Sequence, residues 1–397
     1  MRNIAMLGSG FIGRFYADSI QGYRNRDRIV MIQSRSEKSA ERFANDYQTA
    51  HWTTSIEKAV AHPDVDTVII ALPNYLHEEA VRACAKHKKP VLCTKPLGRN
   101  AEEGLRMLKA VEESGIFHGY LEDLVYTPKF IKSWETIKSG ALGRILWARS
   151  REAHPGPHSD WFWNAELAGG GAMLDLGCHC VEIARTYIGK DIRPMEVMCW
   201  ADTQVKPIDA EDHAIGLVKY QNGAIGQFEV SWTFRGGLDL RDEVMGSEGT
   251  IWSNGFLRTG LEIFTTGAAG AGYVAEKAET DRGWLYPVGD ELNELGYNHM
   301  FADMFDAIET QRSPRETFYD GYVVNAILDA AYKSARSKQW EPVQLAVWHG
   351  LNDVEKISAQ PEYDADHWLV KEEVTHYGAK KVILKEKKTG KIIERVI

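Results

Sequence analysis

Three glycines near the N-terminus have the spacing of a phosphate cradle. Ile4-Ala5-Met6-Leu7-Gly8-Ser9-Gly10-Phe11-Ile12-Gly13 runs an apolar stretch into Gly-x-Gly-x-x-Gly, and a helix-like segment, 15–20, follows. Gly8 suits a tight turn and Gly10 leaves room for a pyrophosphate. Gly13 lets the helix pack on the strand, so that the N–H groups at its start face the phosphates. The strand before and the helix after point to a dinucleotide site formed by Gly8, Gly10, Phe11, Ile12 and Gly13; the alternative is a tight turn without a ligand. The end of the next strand bears on which dinucleotide. Gln33-Ser34-Arg35-Ser36 has no acidic residue for the ribose hydroxyls, and a hydroxyl followed by arginine can accept a 2′-phosphate. Ser34 and Arg35 therefore favour NADP(H) over NAD(H). Arg35 stacked on adenine in an NAD site is the other reading.

Two further constellations invite chemistry. His154-Pro155-Gly156-Pro157-His158-Ser159-Asp160-Trp161-Phe162-Trp163 mixes polar groups with rings, which suits the hydroxyls and C–H faces of a sugar; a rigid proline loop under an aromatic cluster is the competing reading. Cys178-His179-Cys180, with Glu182 nearby, suggests a metal. Neighbours on a helix diverge, however, and no Cys-x-x-Cys pair is present to complete four converging ligands. No metal is expected.

These residues need elements to position them. With 397 residues the chain is too long for one ordinary core. The first 120 residues alternate strands (4–7, 29–33, 67–72, 90–93, 117–120) with helices (38–47, 76–87, 101–114), the order of a parallel doubly wound sheet. Beyond residue 121 a helix at 129–139 leads to a strand at 145–153 and a glycine-rich helix start at 169–171. Six close strands follow at 195–202, 213–220, 224–233, 241–246, 249–253 and 261–265, the spacing of an open, mostly antiparallel sheet. Helices return at 298–310 and 320–337, and the tail ends in a β-hairpin, 380–388 with 391–397. The expected class is α/β: a Rossmann domain (1–121), an α+β domain for substrate and oligomerisation (122–349) and a C-terminal extension (350–397).

Composition narrows the class. A net charge of −9 and no basic, aromatic-interleaved patch argue against nucleic acid. No apolar run reaches membrane-spanning length. The first strand begins at once, which leaves no room for a signal peptide. Five cysteines without framework spacing read as reduced thiols of a cytoplasmic protein.

Four motifs in order resemble the glucose–fructose oxidoreductase, inositol dehydrogenase and MocA (Gfo/Idh/MocA) family: the glycine fingerprint, Ala71-Leu72-Pro73-Asn74-Tyr75-Leu76-His77, Thr94-Lys95-Pro96-Leu97, and Gly169-Gly170-Gly171-Ala172-Met173-Leu174-Asp175-Leu176-Gly177-Cys178-His179. The resemblance covers about residues 1–345. It implies a Rossmann domain joined to an open-sheet domain and redox chemistry at a secondary alcohol of a sugar, cyclitol or glycoside. Leu72, Pro73, Asn74, His77, Thr94 and Lys95 match family positions near the cofactor; Asn74 and His77 could equally cap loops. Hydride transfer from a carbinol needs a base on the hydroxyl. His179 fits that role and Lys95 can bond the reacting oxygen. If the stretch is one helix, Asp175 shares a face with His179 and can orient the imidazole or bond the substrate. Thr94 stands in place of the family's glutamate, which removes a carboxylate beside the lysine. Glu122 and Tyr126, with Asp123 in place of the family's asparagine, join His154, His158, Trp161, Asp175 and His179 as expected substrate contacts.

The runner-up activity is an NAD-dependent glycosidase that works by transient oxidation and elimination; a non-catalytic cofactor-binding protein is disfavoured by Lys95, Asp175 and His179. Trp200, Phe228 and Trp232 lie on the close strands, and alternation must send some large residues to an uncovered face. A homodimer or homotetramer paired through that sheet is expected, as the resemblance also implies.

Overall fold

The computed structural model describes residues 1–24, 26–256, 261–265, 274–278, 282–357 and 361–397. They form two compact units, Met1–Asn352 and Asp353–Ile397. The first unit carries both large sheets.

In the first sheet, β1 (Asn3–Leu7), β2 (Arg28–Gln33), β3 (His51–Thr53), β4 (Thr67–Ile70), β5 (Val91–Thr94) and β6 (His118–Leu121) lie in the order β3-β2-β1-β4-β5-β6, all parallel. The apolar runs of β1, β4 and β5 are buried along both faces because helices cover the sheet on either side. The crossovers are α1 (Phe11–Tyr23), α2 (Glu37–Asp46), α3 (Ile56–Ala61), α4 (His77–Lys86) and α5 (Ala101–Ser114). Asn100 accepts a hydrogen bond from Glu103 N–H at the start of α5, and Gly115 in the left-handed conformation ends it. The short β3 and α3 were not expected, being too brief for periodicity to reveal.

The second sheet follows in the chain. After α6 (Pro128–Lys138) come β7 (Ile145–Ala153), α7 (Ala165–Ala168), α8 (Ala172–Asp175), α9 (Gly177–Ile188), β8 (Pro194–Asp202), β9 (His213–Tyr220), β10 (Ile225–Ser231), β11 (Asp239–Gly246) and β12 (Thr250–Asn254). Next are β13 (Ile263–Thr265), β14 (Gly283–Leu285), α10 (Glu291–Glu294), α11 (Tyr297–Thr310), α12 (Phe318–Ser337) and β15 (Glu341–Pro342). The order is β12-β11-β7-β10-β9-β8-β15, antiparallel except for β7 beside β10. This corrects the six-strand expectation. The strand at 261–265 leaves the sheet and pairs with β14, while β7 and β15 enter it, because closeness in sequence does not set pairing.

Helices α9 and α12 cover one face, where Phe228 and, just past β10, Trp232 are buried. The other face exposes Trp147, Met195, Trp200, Ile215, Met245 and Trp252, with a charged band of Arg149, Arg151, Glu229 and Asp239 between them. Of the three aromatic residues expected on these strands, only Trp200 faces outward.

The second unit is an antiparallel meander of β16 (His367–Val374), β17 (Lys380–Glu386) and β18 (Ile392–Val396). The expected hairpin is its second half. β16 escaped notice because an extra residue between Leu369 and Lys371 breaks its alternation. Among the described residues no helix is long and apolar enough to cross a membrane. All five cysteines are buried and unpaired.

Candidate active site

The carboxyl ends of four adjacent parallel strands present the site: Gly8 after β1, Ala71–Asn74 after β4, Lys95 just after β5 and Glu122 after β6. Between β1 and β4 the strand order reverses, the place where open α/β sheets take ligands. Gly8 has φ +107°, and a Cβ there would lie 2.2 Å from Ala71 O; a Cβ on Gly13 would lie 2.3 Å from Gly8 O. A Cβ on Gly10 would meet nothing within 4 Å. The first turn of α1 has neither a side-chain cap nor an acidic residue. The turn is thus tight at Gly8 and Gly13 and open at Gly10, which fits a pyrophosphate. At the end of β2, Ser34 Oγ lies 2.7 Å from Ser9 Oγ, and Arg35 is exposed with no ion-pair partner among the described residues.

Behind the cradle the two halves of the first unit meet. Lys95 Nζ donates to Asp175 Oδ1 and to the Asp175 carbonyl, both at 2.9 Å. The Lys95–Pro96 peptide is cis. Trp232 Nε1 donates to Asp175 Oδ2 at 3.1 Å. Burial works against both charges, but each offsets that cost for the other: Lys95 is held well above its ordinary range and Asp175 down at about 2. The start of α8 is fixed from another element, since Glu211 Oε1 accepts from the Gly171 and Met173 N–H groups.

Asp175 and His179 do not share one continuous helix. α8 ends at Asp175 and α9 begins at Gly177, and the carbonyl of Asp175 serves Lys95 and the Cys178 thiol instead. The partner that orients the imidazole is Glu122, whose Oε1 lies in short contact with His179 Nδ1. This corrects two expectations: Asp175 does not hold the ring, and Glu122 is fully buried beside it and not at a substrate surface. His179 Nε2 has no hydrogen-bond partner among the described residues. Burial, aided by Lys95, holds His179 down at about 3, while burial pushes Glu122 up to about 8 and Asp123 up to about 7. Glu152, on β7, is also buried and raised, with Oε2 unpartnered.

Other expected residues serve the scaffold. His77 is buried between two carbonyls, Leu97 O (3.1 Å) and Leu72 O (2.9 Å), and ties the β4 and β5 loops together. Asn74 donates to Ala168 O at 2.7 Å, the Thr94 hydroxyl pairs with Tyr16 at 2.8 Å, and Tyr126 donates to Asp303 at 2.8 Å. Each of these side chains thus makes a hydrogen bond within the protein.

The 154–163 loop closes the site from the other half. His154 is buried and accepts from Gly156 N–H, and burial, with Lys277 nearby, keeps it neutral. The His158 ring lies 5.1 Å from Phe11, the exposed first residue of α1. Trp161 stacks on Phe162 at 3.8 Å, and Trp163 packs edge-on against Trp232 at 5.4 Å. Glu122, Cys178 and His179 bring ligating atoms within 4.8 Å of one another. Burial holds Cys178 as a thiol that donates to Asp175 O, while Glu122 and His179 contact each other. Sequence reasoning missed Trp232, Glu152, Glu276 and Lys277 as site residues; none carries a local motif.

Comparison with known proteins accords with this geometry. The family described as "Oxidoreductase family, NAD-binding Rossmann fold" matches residues 2–119, and "GFO/IDH/MocA C-terminal domain" matches residues 130–252. Levoglucosan dehydrogenase of Pseudarthrobacter phenanthrenivorans is 27% identical over 86% of this chain and 98% of its own length. 1,5-Anhydro-D-fructose reductase of Ensifer adhaerens is 30% identical over 63% and 75%. Among solved structures, GenD2 from gentamicin A biosynthesis in complex with NAD is 31% identical, with a TM-score of 0.80 over 87% of this chain and 97% of its own. Levoglucosan dehydrogenase with NADH and levoglucosan gives 26%, a TM-score of 0.74, and 87% and 100%.

Proposed function

The chain belongs to the Gfo/Idh/MocA family of NAD-binding oxidoreductases, and from that premise we propose that it interconverts a secondary alcohol and a ketone on a sugar, cyclitol or glycoside, with His179 as general acid–base. The carrying observation is the unpartnered Nε2 of His179 in a cluster where Lys95 presents an ammonium held by Asp175. Nicotinamide supplies the hydride acceptor when the cofactor is bound. Lys95 Nζ donates to the carbinol oxygen and favours the developing alkoxide. His179 Nε2 takes the hydroxyl proton as the C–H hydride departs. Glu122, when ionised, accepts from Nδ1–H and so keeps Nε2 free as the base. The substrate class rests on the dehydrogenases this chain resembles and on the Trp161, Phe162 and His158 rings of the closing loop.

Ser34 and the exposed Arg35, which has no ion-pair partner among the described residues, favour NADP(H) as cofactor. The exposed apolar face of the second sheet supports a homodimer or homotetramer paired through it; a stable monomer by light scattering at micromolar concentration refutes that assembly. The domain division at 121 and 349 is proposed on the same footing.

A panel of polyols, hexoses, anhydrosugars and glucosides with NAD⁺ or NADP⁺ tests the function. Net reduced nicotinamide is the expected outcome. Release of free aglycone without net reduction identifies the glycosidase, and no turnover of any alcohol refutes the reading.

A further inference from the structure

The segment 274–278 places two charged side chains inside the site, although neither belongs to a recognised motif. Glu276 and Lys277 sit on a turn closed by Ala278 N–H on Ala275 O (3.1 Å). Charged residues at such a tip ordinarily point to water. Here the side chains converge instead: Lys277 Nζ meets Glu276 Oε1 at 2.9 Å, and they are only 10% and 13% exposed. The turn is held from outside the pair, because Glu276 N–H donates to Glu291 Oε1 at 2.8 Å and Val288 N–H to Val274 O at 3.0 Å. Glu276 Oε1 also lies 3.7 Å from His158 Nε2. His158 in turn packs on Phe11 at the dinucleotide cradle. The pair therefore stands between the cradle and the catalytic cluster. It is near enough for Lys277 to act on His154 and Asp175 and for Glu276 to act on His179.

We propose that Glu276 and Lys277 are a second recognition point of the substrate site, binding a vicinal diol on the part of the ring remote from the oxidised carbon. This rests on the functional reading above. A carboxylate and an ammonium 2.9 Å apart offer an acceptor and a donor at the spacing of neighbouring hydroxyl oxygens. Because the two charges cancel, the pair suits a neutral polyol. A ring carboxylate would gain Lys277 but face Glu276, so uronates are disfavoured.

The test uses the full-length protein and the neutral alcohol it turns over best in the panel. Lys277→Met and Glu276→Gln, which keep side-chain volume, should each raise KM about tenfold, leave kcat within about threefold and leave NAD(P)H binding intact. On an analogue lacking one remote hydroxyl, wild type and variants should converge, since the lost partner is already absent. An unchanged KM, or an equal penalty on the deoxy analogue, overturns the proposal. Wild-type protein that turns over no alcohol refutes the functional reading and this proposal together, whereas turnover with variants that behave as wild type refutes this proposal alone.

Discussion

Helix α9 and the turn before it serve two buried charge clusters that differ in how many of their acids are ion-paired. Toward its C-terminal end, Arg185 and Lys190 face Glu182, Glu316 and Asp320. Arg185 donates to both oxygens of Glu182 (2.8 and 3.1 Å) and contacts Asp320, while Lys190 lies 2.9 Å from Glu182 and 3.3 Å from Asp320. At its N-terminal end, one ammonium, Lys95, serves Asp175, Glu122, Asp123 and Glu152. Two cations for three acids lock a joint between α9 and α12. At the N-terminal end only Asp175, on Lys95, is paired with a cation, with Lys277 acting on it from the loop side, while Glu122, Asp123 and Glu152 are raised by burial and His179 Nε2 has no hydrogen-bond partner among the described residues. Burial is common to both clusters; what differs is whether each buried acid meets a cation.

The sharpest way to break this comparison is to remove the functional groups. His179→Ala and Lys95→Ala should each lower kcat about 10²–10⁴-fold while cofactor affinity stays near wild type, as read by steady-state kinetics and NAD(P)H titration. Near-full turnover in either variant would remove that residue from the chemistry. At the other end of α9, Arg185→Met should destabilise the fold by about 3–5 kcal/mol in denaturant titration, because Glu182 and Asp320 stay buried without their guanidinium. Lys95→Met should cost clearly less. Equal losses would erase the distinction between lock and site.

A subtler test is pH. Glu122 is raised to about 8 by burial, and its ionised form holds the Nδ1–H tautomer. Alcohol oxidation should therefore rise with pH through about 8, while ketone reduction, which needs the extra proton, should fall. In Glu122→Gln the rise should vanish from the kcat profile; its persistence would assign the titration to another group. The smallest effect is expected outside the cluster. Arg35→Ala should weaken NADP(H) by about 1.5–3 kcal/mol and NAD(H) much less. Equal weakening in a binding titration would favour adenine stacking.

Much of this was legible residue by residue. Ala101–Ser114 shows its helix because Asn100 caps it and Gly115 ends it, and Gly8, Gly10 and Gly13 show their turn because backbone sterics are local. Lys95, Asp175 and His179 stand out as candidates because the motifs that resemble the family's are contiguous. Asn74, His77, Thr94 and Tyr126 are expected at ligands because they match family positions, and each also hydrogen-bonds a neighbouring loop or element. Nothing in a one-dimensional pattern distinguishes a group offered to a ligand from one already paired.

By itself, then, the sequence determined the doubly wound half and the open second sheet, which follow from short-range periodicity, capping and turn spacing, and the motifs whose family resemblance points to Lys95, Asp175 and His179. Tertiary structure alone decided who holds whom. Glu122 reaches His179 across 57 residues of sequence, Lys95 reaches Asp175 across 80, and Trp232 reaches Asp175 across 57. It also broke the helix between Asp175 and His179, so that a carbonyl is free for Lys95, and it folded Glu276 and Lys277 inward. Such pairings arise when distant strand ends and loops are packed into one water-poor space, where partner choice is set by proximity and desolvation and leaves no mark on neighbouring residues.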